Sequence, residues 1–239
     1  TAQHMLRSVL RGKPMSEPIK VTWSHSSLKD YENCPRKYHE VKVLEKWPRE
    51  ETQQTLYGTK LHEQCELYVR DGRPLDDDFK FMQPMMSKLM AMPGRKYPEY
   101  EMALTSDLRV CNFKDPNRWV RGIADLVIID DDNLTARVFD YKSGGDKYPD
   151  VSQLELMAIM IFKHFPHIRS VTGGLLFVLK NTVFKCKIEL DAADAIWWKY
   201  RERVARIEQA YANGVWNPKQ SGLCRRYCVV TTCCFNGRN

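Results

Sequence analysis

The sequence has no uninterrupted apolar run of about 18 residues, so no segment is suited to crossing a bilayer as a helix. Its first residues lack the apolar region and small-residue cleavage pattern of a secretory signal. Without such a signal, the eight cysteines argue against a disulfide framework. In a reducing cytoplasm, where this reading places the chain, clustered cysteines are more often metal ligands. Charge of one sign is not dominant either. The 37 basic and 30 acidic residues leave +7, which permits a polyanionic partner without proving one. Nor is the chain poor in apolar residues, and 43% hydrophobic content excludes global disorder. A length of 239 residues suits one large domain, or a domain with appendages. Residues 1–15, TAQHMLRSVLRGKP and Met15, read as a leader or appended stretch, and 16–239 as a single domain.

What is present is organised around WVRGIADLVIIDDDNLTARVFDYKSGG, from Trp119 to Gly145. GIADLVIID and ARVFDYKSGG read as two strands joined by an acidic turn. Paired antiparallel, they bring Asp125 near Asp140. Lys142, two residues beyond Asp140, shares its face. Two carboxylates and an ammonium on an apolar sheet are costly to bury without a cation. The pair suits Mg²⁺ or a similar hard ion, and the lysine can position or activate a water.

Around this stretch the chain alternates helical and extended patterns. SSLKDYENCPRKY predicts a helix capped by Ser26 or Ser27, with Cys34 before Pro35 at a kink or helix end. Arg36, Lys37 and Tyr38 there are candidates to touch a phosphate backbone, or form a solvated helix face. Residues 56–71 predict a helix with an apolar stripe of Leu61, Cys65 and Tyr68, and His62 just beside it. Residues 79–92 read as a Met-rich core helix. Glu99 and Glu101 flank Tyr100 on a strand, and Glu101 is a candidate further acid of the site. An apolar helix then carries Gln153 in its first turn, where it can reach substrate or hold a water. Two strands follow with a turn at Asn181, and then a long amphipathic helix closed by Gly214. Its Trp197 and Trp198 are expected to pack on the sheet. In the tail, Cys224, Cys228, Cys233 and Cys234 crowd together in the pattern of an iron–sulfur or zinc site. The tail can supply all four ligands, or three with Cys34 closing the site across the fold. Adjacent Cys233 and Cys234 are awkward joint ligands, which favours the second arrangement.

Five segments in order, SSLKDYENCPRKY, GTKLHE, GIADLVI, FDYKSGG and QLELMA, resemble the PD-(D/E)xK nuclease superfamily. The branch they are most similar to is that of RecB-type exonucleases, including CRISPR-associated and phage enzymes. The resemblance implies an α/β domain with a mixed central sheet flanked by helices, of about five strands. It implies a metal-dependent deoxyribonuclease, more simply an exonuclease than a structure-specific endonuclease or a non-catalytic DNA-binding module. The substrate would be DNA, single-stranded or at ends, with Mg²⁺ or Mn²⁺ held by His62, Asp125 and Asp140. Lys142 matches the catalytic lysine and Gln153 the glutamine of the family's Q-x-x-x-Y helix. Met157 stands where tyrosine is usual. Cys34, Cys224, Cys228 and either Cys233 or Cys234 match the ligands of a [4Fe–4S] cluster. The three residues between Cys224 and Cys228, where two are usual, leave Zn²⁺ as the alternative.

Overall fold

The computed structural model describes residues 21–48, 51–147 and 149–236, so the expected boundary at residue 15 lies outside the described residues. Two β-branched runs form the centre. Val120–Asp130 and Thr135–Lys142 pair antiparallel, from Asp130↔Thr135 to Leu126↔Phe139. The turn between them closes on itself, because Asp130 accepts from the Asn133 backbone and side-chain amides at 3.2 and 2.9 Å. With Arg95–Leu104 as β1, these strands are β2 and β3, followed by β4 (Ser170–Phe177) and β5 (Thr182–Glu189). The sheet order is β1-β2-β3-β4-β5, antiparallel throughout except at β3–β4. The expected mixed five-stranded α/β sheet is therefore present.

Among the described residues six α-helices sit around the sheet: α1 (His25–Asn33), α2 (Pro35–Tyr38), α3 (Gln53–Asp71), α4 (Gln83–Ala91), α5 (Ser152–His164) and α6 (Ala193–Asn213). The parallel junction requires a crossover, and α5 supplies it. α5 is buried from Leu154 to Phe162 except at Glu155, as befits a helix between sheet and α6. Its core includes Val127, Ile129, Val138 and Tyr200. A second core lies on the other face, where Leu61 and Cys65 of α3 meet Leu126, Ile128, Phe139 and Tyr141. α3 starts at a Thr52–Thr55 capping box and stops at left-handed Gly72, φ 66°. The Met-rich stretch is a 3₁₀ turn followed by α4, with Pro84 in the first turn, where proline is tolerated.

The two ends of the described chain meet. Trp23 bridges to β2, stacks on Tyr200 at 5.6 Å and meets Trp119 edge-on at 5.2 Å. Lys219 Nζ donates to the Glu32 carbonyl at 2.8 Å, and Arg36 donates to the Thr232 carbonyl at 3.2 Å. Ser24, rather than Ser26 or Ser27, caps α1. Trp197 is buried but Trp198 is 66% exposed, so only one of the two packs inward. Among the described residues no helix is long and apolar enough to cross a membrane.

Candidate active site

β2 and β3 part where the carboxylates begin. Beyond the last pair, Leu126↔Phe139, the Tyr141 N–H donates to Asp125 Oδ2 at 2.6 Å instead of to a strand carbonyl. Asp125 Oδ1 lies 3.2 Å from His62 Nδ1, and His62 Nε2 lies 3.1 Å from the Tyr141 carbonyl. A carbonyl only accepts, so Nε2 carries hydrogen and Nδ1 faces the carboxylate with a proton or a lone pair. The Asp125 hydrogen bond raises the His62 pKa against the opposing effect of burial. When neutral, Nδ1 has the lone pair to hold a metal ion, oriented by the partner on the far ring nitrogen.

Asp140 and Lys142 share a face two residues apart, with Nζ 2.5 Å from Asp140 Oδ2. Gln153, in the first turn of α5, joins both. Its Nε2 donates to Asp140 Oδ1 at 2.6 Å, and its Oε1 accepts from Lys142 Nζ at 3.1 Å. Burial first, then Asp125, pushes the Asp140 pKa up despite Lys142.

Glu99 completes the group through a break in strand alternation. Tyr97 and Tyr100 both pack on the α5-side core, as do Ala124 and Val127 opposite them. The period-two pattern therefore slips at Pro98–Glu99 and at Asp125–Leu126. Glu99 sits at a left-handed φ of 46°, rare for a non-glycine residue. Pro98, which has no N–H for the ladder, precedes it. His62, Glu99 and Asp125 consequently offer ligand atoms all within 4.8 Å of one another. Glu99 Oε1 is buried and has no hydrogen-bond partner among the described residues. Burial, then Asp125, pushes the Glu99 carboxyl up to about 7. An orphaned carboxylate oxygen beside a second carboxylate and an imidazole fits a divalent cation of the Mg²⁺ or Mn²⁺ kind. A cleft of about 670 Å³ opens outward from Glu99, walled by Glu66, Arg70, Lys96 and Tyr100 among others.

Asp125, Asp140, Lys142, Gln153 and His62 thus stand together. Glu101 does not join them. It is exposed, opposite Ile123, and Glu99 instead lies beside His62 and Asp125. Tyr38 corrects an expectation too. It is 5% exposed, stacked at 6.1 Å on Trp216, and turned away from any strand on the surface. Arg36 pairs with Glu40 at 3.5 Å, and Lys37 is exposed. Met157 is buried and fills the space that Gly122 leaves, since a Cβ there would come 3.0 Å from Met157 Cε.

All eight cysteines are free thiols. Cys34 Sγ caps α2 by accepting from Lys37 N at 3.5 Å and accepts from Lys219 N at the same distance. Cys224 Sγ lies 3.9 Å from the Lys219 carbonyl, so both thiols flank one peptide segment of the tail. Cys228 and Cys233 are half-buried and Cys234 is exposed. Among the described residues no three cysteine sulfurs lie within 4.8 Å of one another, so the tight spacing of a single tetrahedral ion is not formed.

The sequence model of the PD-(D/E)XK nuclease superfamily matches residues 22–235. Two solved structures are similar. One is a candidate exonuclease from Eubacterium rectale, 12% identical, with a TM-score of 0.49, covering 89% of this chain and 92% of its own. The other is SSO0001, 14% identical, with a TM-score of 0.42, covering 93% and 88%. Both are distant likenesses, and membership rests on the sequence model. No curated protein matches the chain.

Proposed function

This chain belongs to the PD-(D/E)XK nuclease superfamily, and we propose that it is a metal-dependent deoxyribonuclease of the RecB-type branch, acting as an exonuclease on single strands or DNA ends. One observation carries the reading: the Asp140–Lys142–Gln153 array stands beside a ligand group of His62, Glu99 and Asp125. His62, Glu99, Asp125 and Asp140 would hold Mg²⁺ or Mn²⁺. The bound ion supplies Lewis-acid polarisation of the scissile phosphate and a lowered pKa for a water. Lys142 directs its ammonium at the attacking water or at charge developing on phosphate. Gln153 keeps that ammonium in register with Asp140 through its two hydrogen bonds. Tyr141 N–H and His62 hold the Asp125 carboxylate in place.

The second metal site belongs to the same reading. Cys34, Cys224, Cys228 and either Cys233 or Cys234 would hold a [4Fe–4S] cluster, with Zn²⁺ as the alternative. The return of the tail to α1 and α2 supports it. Such a site would staple the chain ends, in a cytoplasm that keeps the thiols reduced.

The test is cleavage of labelled single- and double-stranded DNA in Mg²⁺, Mn²⁺ or EDTA, beside Lys142→Ala. The parent should cut only with metal, and the variant should lose at least about a hundredfold in rate. Equal cleavage by Lys142→Ala refutes the assignment. DNA retention without turnover in the parent points instead to a binding module. Internal nicks in circular DNA point to an endonuclease.

A further inference from the structure

A second polar cluster lies beside the carboxylates, and the hydrolytic reading leaves it unused. α5 has no side-chain cap at Val151. Its Ser152 N–H donates instead to Asp150 Oδ1 at 3.1 Å, and the Ser152 hydroxyl donates to the same oxygen at 2.5 Å. With that hydrogen committed, Ser152 Oγ accepts from His25 Nε2 at 2.8 Å. Asp150 Oδ2 pairs with Lys29 at 2.8 Å, and the Tyr200 hydroxyl donates to the Ser152 carbonyl at 2.6 Å. Ser152 is thus gripped from α1, from α6 and from its own loop. The next residue is Gln153, which spans Asp140 and Lys142.

This is not a nucleophilic triad. The carboxylate binds the serine rather than the far nitrogen of the imidazole, so nothing aligns His25 as a base. Burial pushes the His25 pKa down to about 4. The imidazole is therefore neutral at ordinary pH, with Nε2–H a fixed donor.

We infer that His25 is a positioning residue: through Ser152 it sets the first turn of α5, and with it the Gln153 carboxamide that aligns Lys142 with Asp140. The inference rests on the nuclease reading above. Without His25, Ser152 loses one of its three anchors, and the amide one residue on can drift. Displacements of about 1 Å at a reacting centre can cost on the order of a hundredfold in rate.

The experiment measures kcat, KM and Tm of the full chain with Mn²⁺ for the parent, His25→Ala, His25→Gln, Ser152→Ala and the double variant His25→Ala/Ser152→Ala. His25→Ala and Ser152→Ala should each lower kcat by about tenfold or more, with KM within about threefold. Gln can donate from the same place and should restore most of the loss. The double variant should be no worse than Ser152→Ala alone, because that substitution already removes the oxygen to which His25 donates. Wild-type kcat in His25→Ala overturns the inference, as does a double loss equal to the product of the singles. A loss that tracks Tm and that Gln does not restore marks a merely structural role and also overturns it. If His25→Ala does not fold, Ser152→Ala and His25→Gln decide by the same criteria. A parent that never cleaves with metal overturns the nuclease reading and this inference with it, a result distinct from a cleaving parent unmoved by His25→Ala.

Discussion

Replacing Glu99 by glutamine keeps the shape of the side chain and removes its charge. In metal-free protein that charge is unfavourable, because burial first and Asp125 second raise the Glu99 pKa from 4.5 to about 7. An acid whose folded pKa lies above its unfolded value holds its proton more tightly when folded. Stability is therefore lost as pH rises from about 4.5 to about 7, and stays lost above that. At about 1.36 kcal/mol per pH unit the full effect would be roughly 3 kcal/mol. Glu99 is only half-buried, and solvent screening reduces this to about 1 kcal/mol. For a chain of this size that is about 2–4 °C in Tm. Glu99→Gln should therefore melt about 2–4 °C above the parent at pH 8 in EDTA, and level with it near pH 4.5. Mn²⁺ should reverse the order. At a concentration of about a hundred times Kd the parent gains about 2.7 kcal/mol, and a variant lacking one anionic ligand gains less. Thermal melts at both pH values, with EDTA and with Mn²⁺, check this. Equal melting at pH 8 in EDTA, or an equal Mn²⁺ shift in both proteins, would refute Glu99 as a ligand.

Tyr38→Ala should destabilise the fold by about 3–5 kcal/mol in urea melts, because it empties a buried aromatic cluster. Lys37→Ala should leave those melts unchanged and weaken DNA binding uniformly across sequences, with a shallower salt dependence. Gly94→Ala should cost about 1–3 kcal/mol in the same melts. Its φ is 110°, and the new Cβ would sit 2.5 Å from the Ile129 carbonyl oxygen. For Cys34→Ala, chelation is the probe. On the proposed cysteine-held metal, the parent's Tm should fall on chelation, the variant should already sit at the lower value, and cleavage with Mn²⁺ added back should outlast both changes.

The grouping of Asp125, Asp140 and Lys142 was legible from strand spacing, whereas His62 and Gln153 were singled out by the family resemblance, their local patterns only placing them on helices. Asp140 and Lys142 lie two apart on a strand. Gln153 opens the apolar run of α5, and His62 borders the stripe of α3. The misses occur where a local period is overruled by something distant or strained. Glu101 and Glu99 cannot be told apart by counting in twos, because counting assumes an unbroken ladder. Pro98 and the left-handed Glu99 break it, and Pro98 was the signal available in the sequence. Tyr38 sits beside Arg36 and Lys37 in sequence. Its ring nonetheless meets Tyr31 edge-on at 5.8 Å and stacks on Trp216, a residue the sequence alone does not bring near. Trp197 and Trp198 are neighbours about 100° apart on a helix, so burying one exposes the other. The ladder break that misled the choice of acid is also what turns Glu99 toward His62. Restoring regular alternation there would carry the carboxylate to the opposite face, so the strained backbone at Glu99 and the ligand group are one feature.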